Sequence, residues 1–162
     1  MGDKKEVTVR DPMYGPDREQ MKEAFESNGF FYDFELEVAN SMVDDYFDGE
    51  PTTVYRVAEV NGKVVGVTMF GRDSMSKLAW TLYWISVHGD YRDHGVGRAL
   101  MEDMEKQVSA AGGGIVYIET SARELYLPTR MFYLHNKYSQ EALLKDYYAR
   151  GDGKCIFSKE IS

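Results

Sequence analysis

The segments richest in β-forming residues lie in the middle of the chain. Residues 52–60 and 63–71 are dominated by valine and other β-branched or aromatic residues, and Asn61-Gly62, the dipeptide most indicative of a hairpin turn, separates them. A third run, "KLAWTLYWISV" at 77–87, has the same character. These three runs predict an antiparallel meander.

Helical spacing precedes the meander. After a short alternating strand at 5–11, Pro16 near a start and Gly29 past an end delimit a first predicted helix. Residues 31–48 predict a second helix, which the sequence Asp48-Gly49-Glu50-Pro51 ends. The apolar residues that recur at every fourth position of the second helix are Phe34, Val38, Met42 and Tyr46.

A parallel crossover is predicted after the meander. Apolar residues recur with helical spacing from Val96 to Val108, and "AAGGG" at 110–114 ends this helix. The run "IVYIET" at 115–120 has the continuous apolar character of a buried strand. A strand, a helix and a second strand in this order predict a right-handed crossover between parallel strands.

The C-terminal part is predicted to add a helix and a hairpin. Thr129 to Tyr138 form a short amphipathic helical pattern with Pro128 before it, and residues 141–161 predict a hairpin with a Gly-Asp-Gly turn. No repeat or linker interrupts the 162 residues. The expected organisation is therefore a single α/β (α+β) domain that spans residues 1–162.

Charge and hydropathy narrow the class of protein. The net charge is −8, with 14 Asp/Glu and 5 Lys/Arg in residues 1–50 against 13 and 14 in residues 51–162. An acidic chain without a basic stripe is not expected to bind nucleic acid. The apolar runs are too short to span a bilayer, so no membrane partner is expected and a cytoplasmic location is the default.

Candidate chemistry lies where the crossover helix begins, in "YRDHGVGRAL" at 91–100. Gly95 and Gly97 would let backbone N–H groups approach an anion, at the end of a helix that favours negative charge. Arg92 and Arg98 would add positive charge. The segment therefore predicts a phosphate-binding loop, and the alternative is a helix start that needs glycine only for its turn.

Two other nucleotide-binding motifs fit less well. "GVGRAL" begins like a dinucleotide-binding G-x-G-x-x-G, and Glu119 lies about twenty residues on, where a ribose-binding acid would stand. Leu100, however, occupies the place of the third glycine, and an antiparallel meander precedes the motif. A P-loop is excluded because no Gly-Lys-Ser/Thr follows.

The chain resembles GNAT-type N-acetyltransferases over these residues. "ISVHGDYRDHGVGRALMEDME" is similar to the family's acetyl-coenzyme A segment, in which Arg/Gln-x-x-Gly-x-Gly/Ala opens a helix. "YIETS" is similar to the next strand of the family, and "TRMFYLHNKY" to its Phe/Leu-Tyr-x-x-x-Gly-Phe helix end. The motifs span residues 85–138. Departures from the family pattern are Gly89 for a usual Pro, Lys137 for a usual Gly and Tyr126 for a frequent Asn.

The resemblance implies a fold and an acyltransferase activity. The implied fold is GNAT-like: a mixed, mostly antiparallel sheet of six to seven strands, flanked by about four helices, with a parallel crossover between strand 4 and strand 5. The implied reaction transfers an acetyl group from acetyl-coenzyme A to a primary amine, by direct attack in a ternary complex. Acetyl-coenzyme A is then a co-substrate, and the acceptor is a small-molecule, peptide or protein amine.

The resemblance also implies site residues. Glu119 would be the base that deprotonates the acceptor ammonium, and Tyr133 the acid that protonates the departing thiolate. Backbone groups at the end of the fourth strand would align the pantetheine arm, and the N–H of Val87 would polarise the thioester carbonyl. The residues implied in coenzyme binding are Ile85, Ser86, Val87, Arg92, Asp93, His94, Gly95, Val96, Gly97 and Arg98.

Other expectations concern metals, partners and competing functions. No metal site is expected, because there is a single cysteine, Cys155, predicted to be buried, and the three histidines lack metal-ligand spacing. The acids of residues 33–50 suggest a cationic acceptor, although they could equally form a solvated helix face; a homodimer is left open. The competing functions are a non-catalytic acyl-coenzyme A-binding module on the same fold and a nicotinamide-dependent oxidoreductase.

Overall fold

The computed structural model of the chain describes residues 6–49 and 53–162. In this part of the chain there are seven strands and four α-helices. Their bounds are β1 Thr8–Arg10, α1 Asp17–Glu26, α2 Asp33–Asp48, β2 Val54–Val60, β3 Lys63–Arg72, β4 Ala79–Val87, α3 Val96–Ala110, β5 Gly114–Ser121, α4 Leu127–His135, β6 Ser139–Ala149 and β7 Asp152–Ile161.

The strands form one mixed sheet in the order β1-β2-β3-β4-β5-β7-β6. β4 and β5 are parallel, with Ala79 opposite Ile115 and Leu82 opposite Ile118. The pairs β1–β2, β2–β3, β5–β7 and β6–β7 are antiparallel. The predicted fold class, a mostly antiparallel sheet with one parallel crossover and four helices, is confirmed.

The turn between β2 and β3 has the geometry that its sequence predicts. Asn61 and Gly62 both take positive φ angles, 50° and 79°. Two successive positive φ angles define the type I′ turn, whose twist matches that of the flanking strands. The local sequence is therefore sufficient to fix this hairpin.

The chain divides into two compact units. The first comprises Met1–Phe70 and Trp84–Met104, and the second comprises Gly71–Tyr83 and Glu105–Ser162. The expectation of a single domain over residues 1–162 stays a prediction. Among the described residues, no helix is both long and apolar enough to cross a membrane.

Helix α2 buries a neighbouring row fully and the row that its sequence spacing indicated only in part: of that row, Met42 and Tyr46 pack partly buried against the core. Ala39, Val43 and Phe47 are buried, whereas Phe34 is 64% exposed and Val38 is 51% exposed. Ala39 has a small side chain, so the helix can approach the sheet closely along its row. Four-residue spacing is present in both rows, and which row is buried depends on this packing.

Glycine allows the start of α3 to lie against the sheet in the first unit. A Cβ on Gly66 of β3 would lie 2.8 Å from Cγ1 of Val96 and 2.9 Å from Cδ1 of Leu100. Both α3 residues are buried, together with Ala58 and Val65. The absence of a side chain at Gly66 therefore positions the first turns of α3.

Helix α4 is displaced from its predicted bounds of Thr129 to Tyr138. It begins at Leu127 because Pro128 is accommodated in its first turn, where no backbone donor is needed. It ends at His135 because Lys137 takes a left-handed φ of 72°. The N–H of Lys137 bonds to the carbonyl of Leu134 at 3.0 Å, and a matching bond one residue on completes a Schellman motif.

Candidate active site

Residues 92–98, which we call the phosphate loop, turn the chain from β4 into α3. Asp93 and Gly95 have positive φ angles of 61° and 78°, and a Cβ on Gly95 would meet nothing within 4 Å. The N–H of Ala99 is the first to bond back along the helix, to the carbonyl of Gly95 at 3.0 Å. The N–H groups that precede it have no intrahelical acceptor. The open backbone at Gly95 and these N–H groups fit a bound phosphate.

The two arginines of the loop already have protein partners. Arg92 donates to the backbone carbonyl of Asn28, and its guanidinium lies 4.3 Å from the ring centroid of Phe30. Arg98 pairs with Glu102 at 3.0 Å, and both side chains are more than half exposed. An exposed pair of this kind is weak, so Arg98 can exchange Glu102 for a phosphate, whereas Arg92 anchors the loop to the segment after α1.

The end of β4 is fixed by a side-chain hydrogen bond to α1 and a backbone hydrogen bond to β3. The hydroxyl of Ser86, a residue that is 2% exposed, donates to the carbonyl of Ala24 at 3.2 Å. The N–H of His88 donates to the carbonyl of Val65 on β3 at 2.7 Å. Since N–H groups alternate sides along an extended chain, the N–H of Val87 points away from β3. This is the direction that a donor requires if the ligand lies on the side of β4 opposite β3.

The C-terminal end of α1 holds the turn that leads into the loop. The N–H of Gly89 donates to Oγ of Ser27 at 3.2 Å, and a Cβ on Gly89 would lie 2.7 Å from the Ser27 carbonyl oxygen. The departure from the family's proline at this position thus gains a hydrogen bond that proline cannot make. Sequence reasoning missed Ser27 and Asn28, because these contacts join residues 62 and 64 positions apart.

Glu119, in the second unit, lies in an ion pair that the sequence did not predict. Its Oε2 is 2.8 Å from Nζ of Lys154, whose side chain is 8% exposed. The ammonium also lies 3.7 Å from the ring centroid of Tyr147. Burial lowers the pKa of Lys154, but hydrogen bonds and Coulombic attraction to Glu119 and Tyr147 outweigh it, so the pKa is raised. Lys154 therefore stays charged and holds the Glu119 carboxylate.

The register of β5 and β7 explains this pair. Glu119 stands opposite Ile156, and Lys154 lies two residues before Ile156 in β7, on the same face. Diagonal neighbours of this kind are within reach of long side chains. The sequence predicted the C-terminal strand that carries Lys154, but it did not indicate the register of that strand against β5.

Tyr133 is buried on α4, with 4% of its surface exposed. Its ring lies 5.7 Å from that of Phe157 and 6.4 Å from that of Tyr138. Burial, with a smaller contribution from Tyr126, raises its pKa, so the phenol is protonated at neutral pH. Among the described residues no side chain hydrogen-bonds to its hydroxyl, which leaves the proton available to a ligand or to water.

Two connections fix the position of Tyr133 within the second unit. Its carbonyl accepts the N–H of Tyr138 at 3.0 Å, which is the longer bond of the Schellman motif at Lys137. One turn earlier, Arg130 donates to the carbonyls of Ser121 and Arg123, at 2.8 and 2.7 Å, and so joins α4 to the end of β5.

The structure also gives the positions of Cys155, His94 and Asp93. Cys155 is a free, buried thiol on β7, as predicted. His94 and Asp93 are exposed in the phosphate loop. Within residues 6–49 and 53–162, no group of three or more His, Cys, Asp or Glu side chains could hold a metal ion.

Comparison with known proteins identifies the family. The model of the acetyltransferase (GNAT) family matches residues 18–134. A GNAT-family acetyltransferase structure from Desulfovibrio desulfuricans is 31% identical, with a TM-score of 0.90 over 97% of this chain and 100% of that one. An aminoglycoside 6′-N-acetyltransferase complexed with coenzyme A is 17% identical, with a TM-score of 0.75 over 97% of each chain, and shows the same fold.

Curated relatives match over a shorter stretch. An acetyltransferase from Pectobacterium atrosepticum is 41% identical over 59 residues, which are 36% of this chain and 40% of that protein. The aligned region thus spans less than half of the curated relative. The family model and the structure from Desulfovibrio desulfuricans both cover most of the chain, and the chain therefore belongs to the GNAT family of acetyltransferases.

Proposed function

We propose that this protein transfers the acetyl group of acetyl-coenzyme A to a primary amine of a small molecule or peptide, by direct attack in a ternary complex. The family uses acetyl-coenzyme A. The observation that carries the proposal is the phosphate loop, with its left-handed Asp93 and Gly95 and, within the described part of the chain, N–H groups that precede the first backbone hydrogen bond of α3. Such a loop suits the pyrophosphate of a coenzyme.

Acetyl-coenzyme A would supply the acetyl group as a thioester, and the chain would hold and polarise it. The N–H groups of Val96, Gly97 and Arg98 would bind phosphate oxygens at the positive end of α3. The N–H of Val87, which points away from β3, would donate to the carbonyl oxygen on which negative charge develops.

Two side chains would move protons. Glu119 would take the proton of the acceptor ammonium, directly or through water, because only the neutral amine attacks the carbonyl. The C–N bond forms as the C–S bond breaks, and Tyr133, protonated at neutral pH, would give its proton to the departing thiolate. In this reaction Glu119 must accept a proton while the ammonium of Lys154 remains beside it.

The alternative is a non-catalytic acyl-coenzyme A-binding module. The ion pair between Glu119 and Lys154 favours it, since the Glu119 carboxylate already has an ammonium partner at 2.8 Å. Both functions require coenzyme A binding. Only the transferase releases free thiol when an amine is added.

The experiment that tests the proposal is a thiol-release screen over amino acids, polyamines, aminoglycosides and peptides with free N-termini or lysines. The transferase requires release that depends on at least one amine. Gly97→Glu should abolish binding and release, because it brings a carboxylate to the phosphate loop while still suiting a helix start. Gly97→Gln is the matched control of equal size, and equal affinity for coenzyme A in both variants would refute the placement of the phosphates.

A further inference from the structure

His88 connects β4 to the turn Gly89–Tyr91 and is 6% exposed. Both nitrogens of its ring have partners within the first unit. Nδ1 accepts the backbone N–H of Asp90 at 3.1 Å, and so caps this turn, while Nε2 lies 3.3 Å from Oε1 of Glu23 on α1. With its own N–H bonded to Val65 on β3, His88 ties three elements to the entrance of the phosphate loop.

These contacts define one protonation state of the ring. An imidazole nitrogen accepts a hydrogen bond only when it carries no hydrogen. A hydrogen bond from the Asp90 N–H to Nδ1 requires a neutral ring whose hydrogen is on Nε2, where it can be donated to Glu23. Hydrogen bonds from Lys63 and His88 lower the pKa of Glu23, so this partner remains a carboxylate across the range in which histidines titrate.

We propose that His88 is a positioning residue that holds the phosphate loop in its coenzyme-binding conformation only while the imidazole is neutral. A proton on Nδ1 removes the acceptor for the N–H of Asp90, and the turn loses its cap. The phosphate loop starts directly after this turn, at Arg92. Coenzyme affinity therefore falls as the pH is lowered. This inference rests on the function proposed above for the loop.

The charged groups around the ring allow a protonated Nδ1 to change its hydrogen-bond partner. Glu23 faces Nε2 from α1, and Oδ2 of Asp90 lies 3.9 Å from Nδ1. Nζ of Lys63 on β3 lies 3.3 Å from the same Glu23 oxygen, and its positive charge disfavours a second cation there. The ring of Tyr91 packs edge-on against the imidazole, with the ring centroids 5.7 Å apart. A protonated Nδ1 can thus donate to the Asp90 carboxylate instead of accepting the Asp90 N–H, which changes the turn.

The test compares the wild type with His88→Asn. Asparagine is a strong capping residue whose oxygen can accept the Asp90 N–H, but it gains no proton in this pH range. Calorimetry gives the Kd for coenzyme A at pH about 8 and about 5.5, on either side of histidine titration. We expect the ratio of the two constants to be about fivefold larger in the wild type, the equivalent of one capping hydrogen bond. Titration of the coenzyme phosphates contributes equally to both ratios and cancels in the comparison.

Equal ratios in the two proteins would overturn the inference. Nitrogen NMR of the free wild-type protein tests it independently of the variant's folding: a ring with its hydrogen on Nε2 at pH about 8 supports it, and a ring with its hydrogen on Nδ1 contradicts it. A wild type that binds no coenzyme A at either pH would instead refute the proposed function.

Discussion

Lys137 occupies a left-handed conformation, with φ of 72°, directly after the last turn of α4. The family resemblance places glycine here, and the structure shows why glycine would be preferred. A non-glycine residue in this conformation costs about 1–2 kcal/mol, because its Cβ approaches the following carbonyl. The side chain of Lys137 is exposed and, among the described residues, forms no ion pair, so its loss removes no stabilising contact.

We expect Lys137→Gly to stabilise the protein by about 1 kcal/mol. Relief of the left-handed strain is partly offset by the larger conformational entropy that glycine has in the unfolded chain. For a protein of this size the change raises the Tm by about 2–4 °C, and urea unfolding at constant m-value gives the free energy directly.

The matched control is Lys106→Gly, at an exposed position inside α3. There the backbone is helical, and glycine should cost about 1 kcal/mol. Opposite signs at the two lysines support the reasoning. If both variants are destabilised by similar amounts, the conformation at Lys137 is not strained and the Schellman motif does not depend on it.

Tyr133, the Glu119–Lys154 pair and the acids of α2 can each be tested separately. Tyr133→Phe should leave the fold and coenzyme affinity intact and lower the single-turnover rate by about 10²–10⁴-fold; a rate within about twofold of the wild type would assign the proton to another donor. The raised pKa of Lys154 means that its pair with Glu119 stabilises the fold below the ordinary pKa of 10.5 and is lost as pH rises through the higher folded value. Melting curves at alkaline pH should therefore show this loss in the wild type and not in Lys154→Met. Finally, kcat/KM for a cationic amine should fall with salt, and the slope should be smaller after neutralisation of the unpaired acids of α2; equal slopes would reject recruitment by charge.

The local sequence was sufficient to predict the structure where the conformation depends on a short segment alone. Asn61-Gly62 specifies a turn with two positive φ angles, and the pattern from Val96 to Val108 matches a helix that buries the predicted positions. The bounds of α4 were wrong because a capping motif that includes Lys137 ended it early. That motif normally contains glycine, so its signal was absent from the sequence.

Contacts between distant residues account for what the sequence could not supply. The pair of Glu119 with Lys154 depends on the register of β5 against β7, and the contact of His88 with Glu23 joins residues 65 positions apart. Each residue is unremarkable in its own segment. Motif resemblance identified the loop and the two proton-transfer candidates, while the groups that would control their charge became visible only in three dimensions.

Some of the carboxylates in the first third of the chain are already paired with cations and are not available to a ligand. Asp44 lies 2.7 Å from Arg18 and 2.8 Å from Lys22, and Asp48 lies 2.7 Å from Arg18. Charges paired at these distances largely cancel beyond a Debye length of about 10 Å. Neutralising Asp44 or Asp48 would therefore expose a cation rather than simply weaken a negative field.

The acids that can act on a ligand are the unpaired ones, and exposed apolar side chains lie on the same helix. Among the described residues of α2, Asp33, Glu37 and Asp45 are exposed and form no ion pair. Phe34 and Val38, in the neighbouring row of the same helix, are 64% and 51% exposed. Carboxylates beside exposed apolar groups favour a cation that carries apolar surface, because both parts can be matched at once. If α2 recruits the acceptor, amines with a hydrophobic group next to the ammonium should reach a higher kcat/KM than hydrophilic polyamines of greater charge. The reverse order would show that net charge, and not the apolar surface of α2, attracts the acceptor.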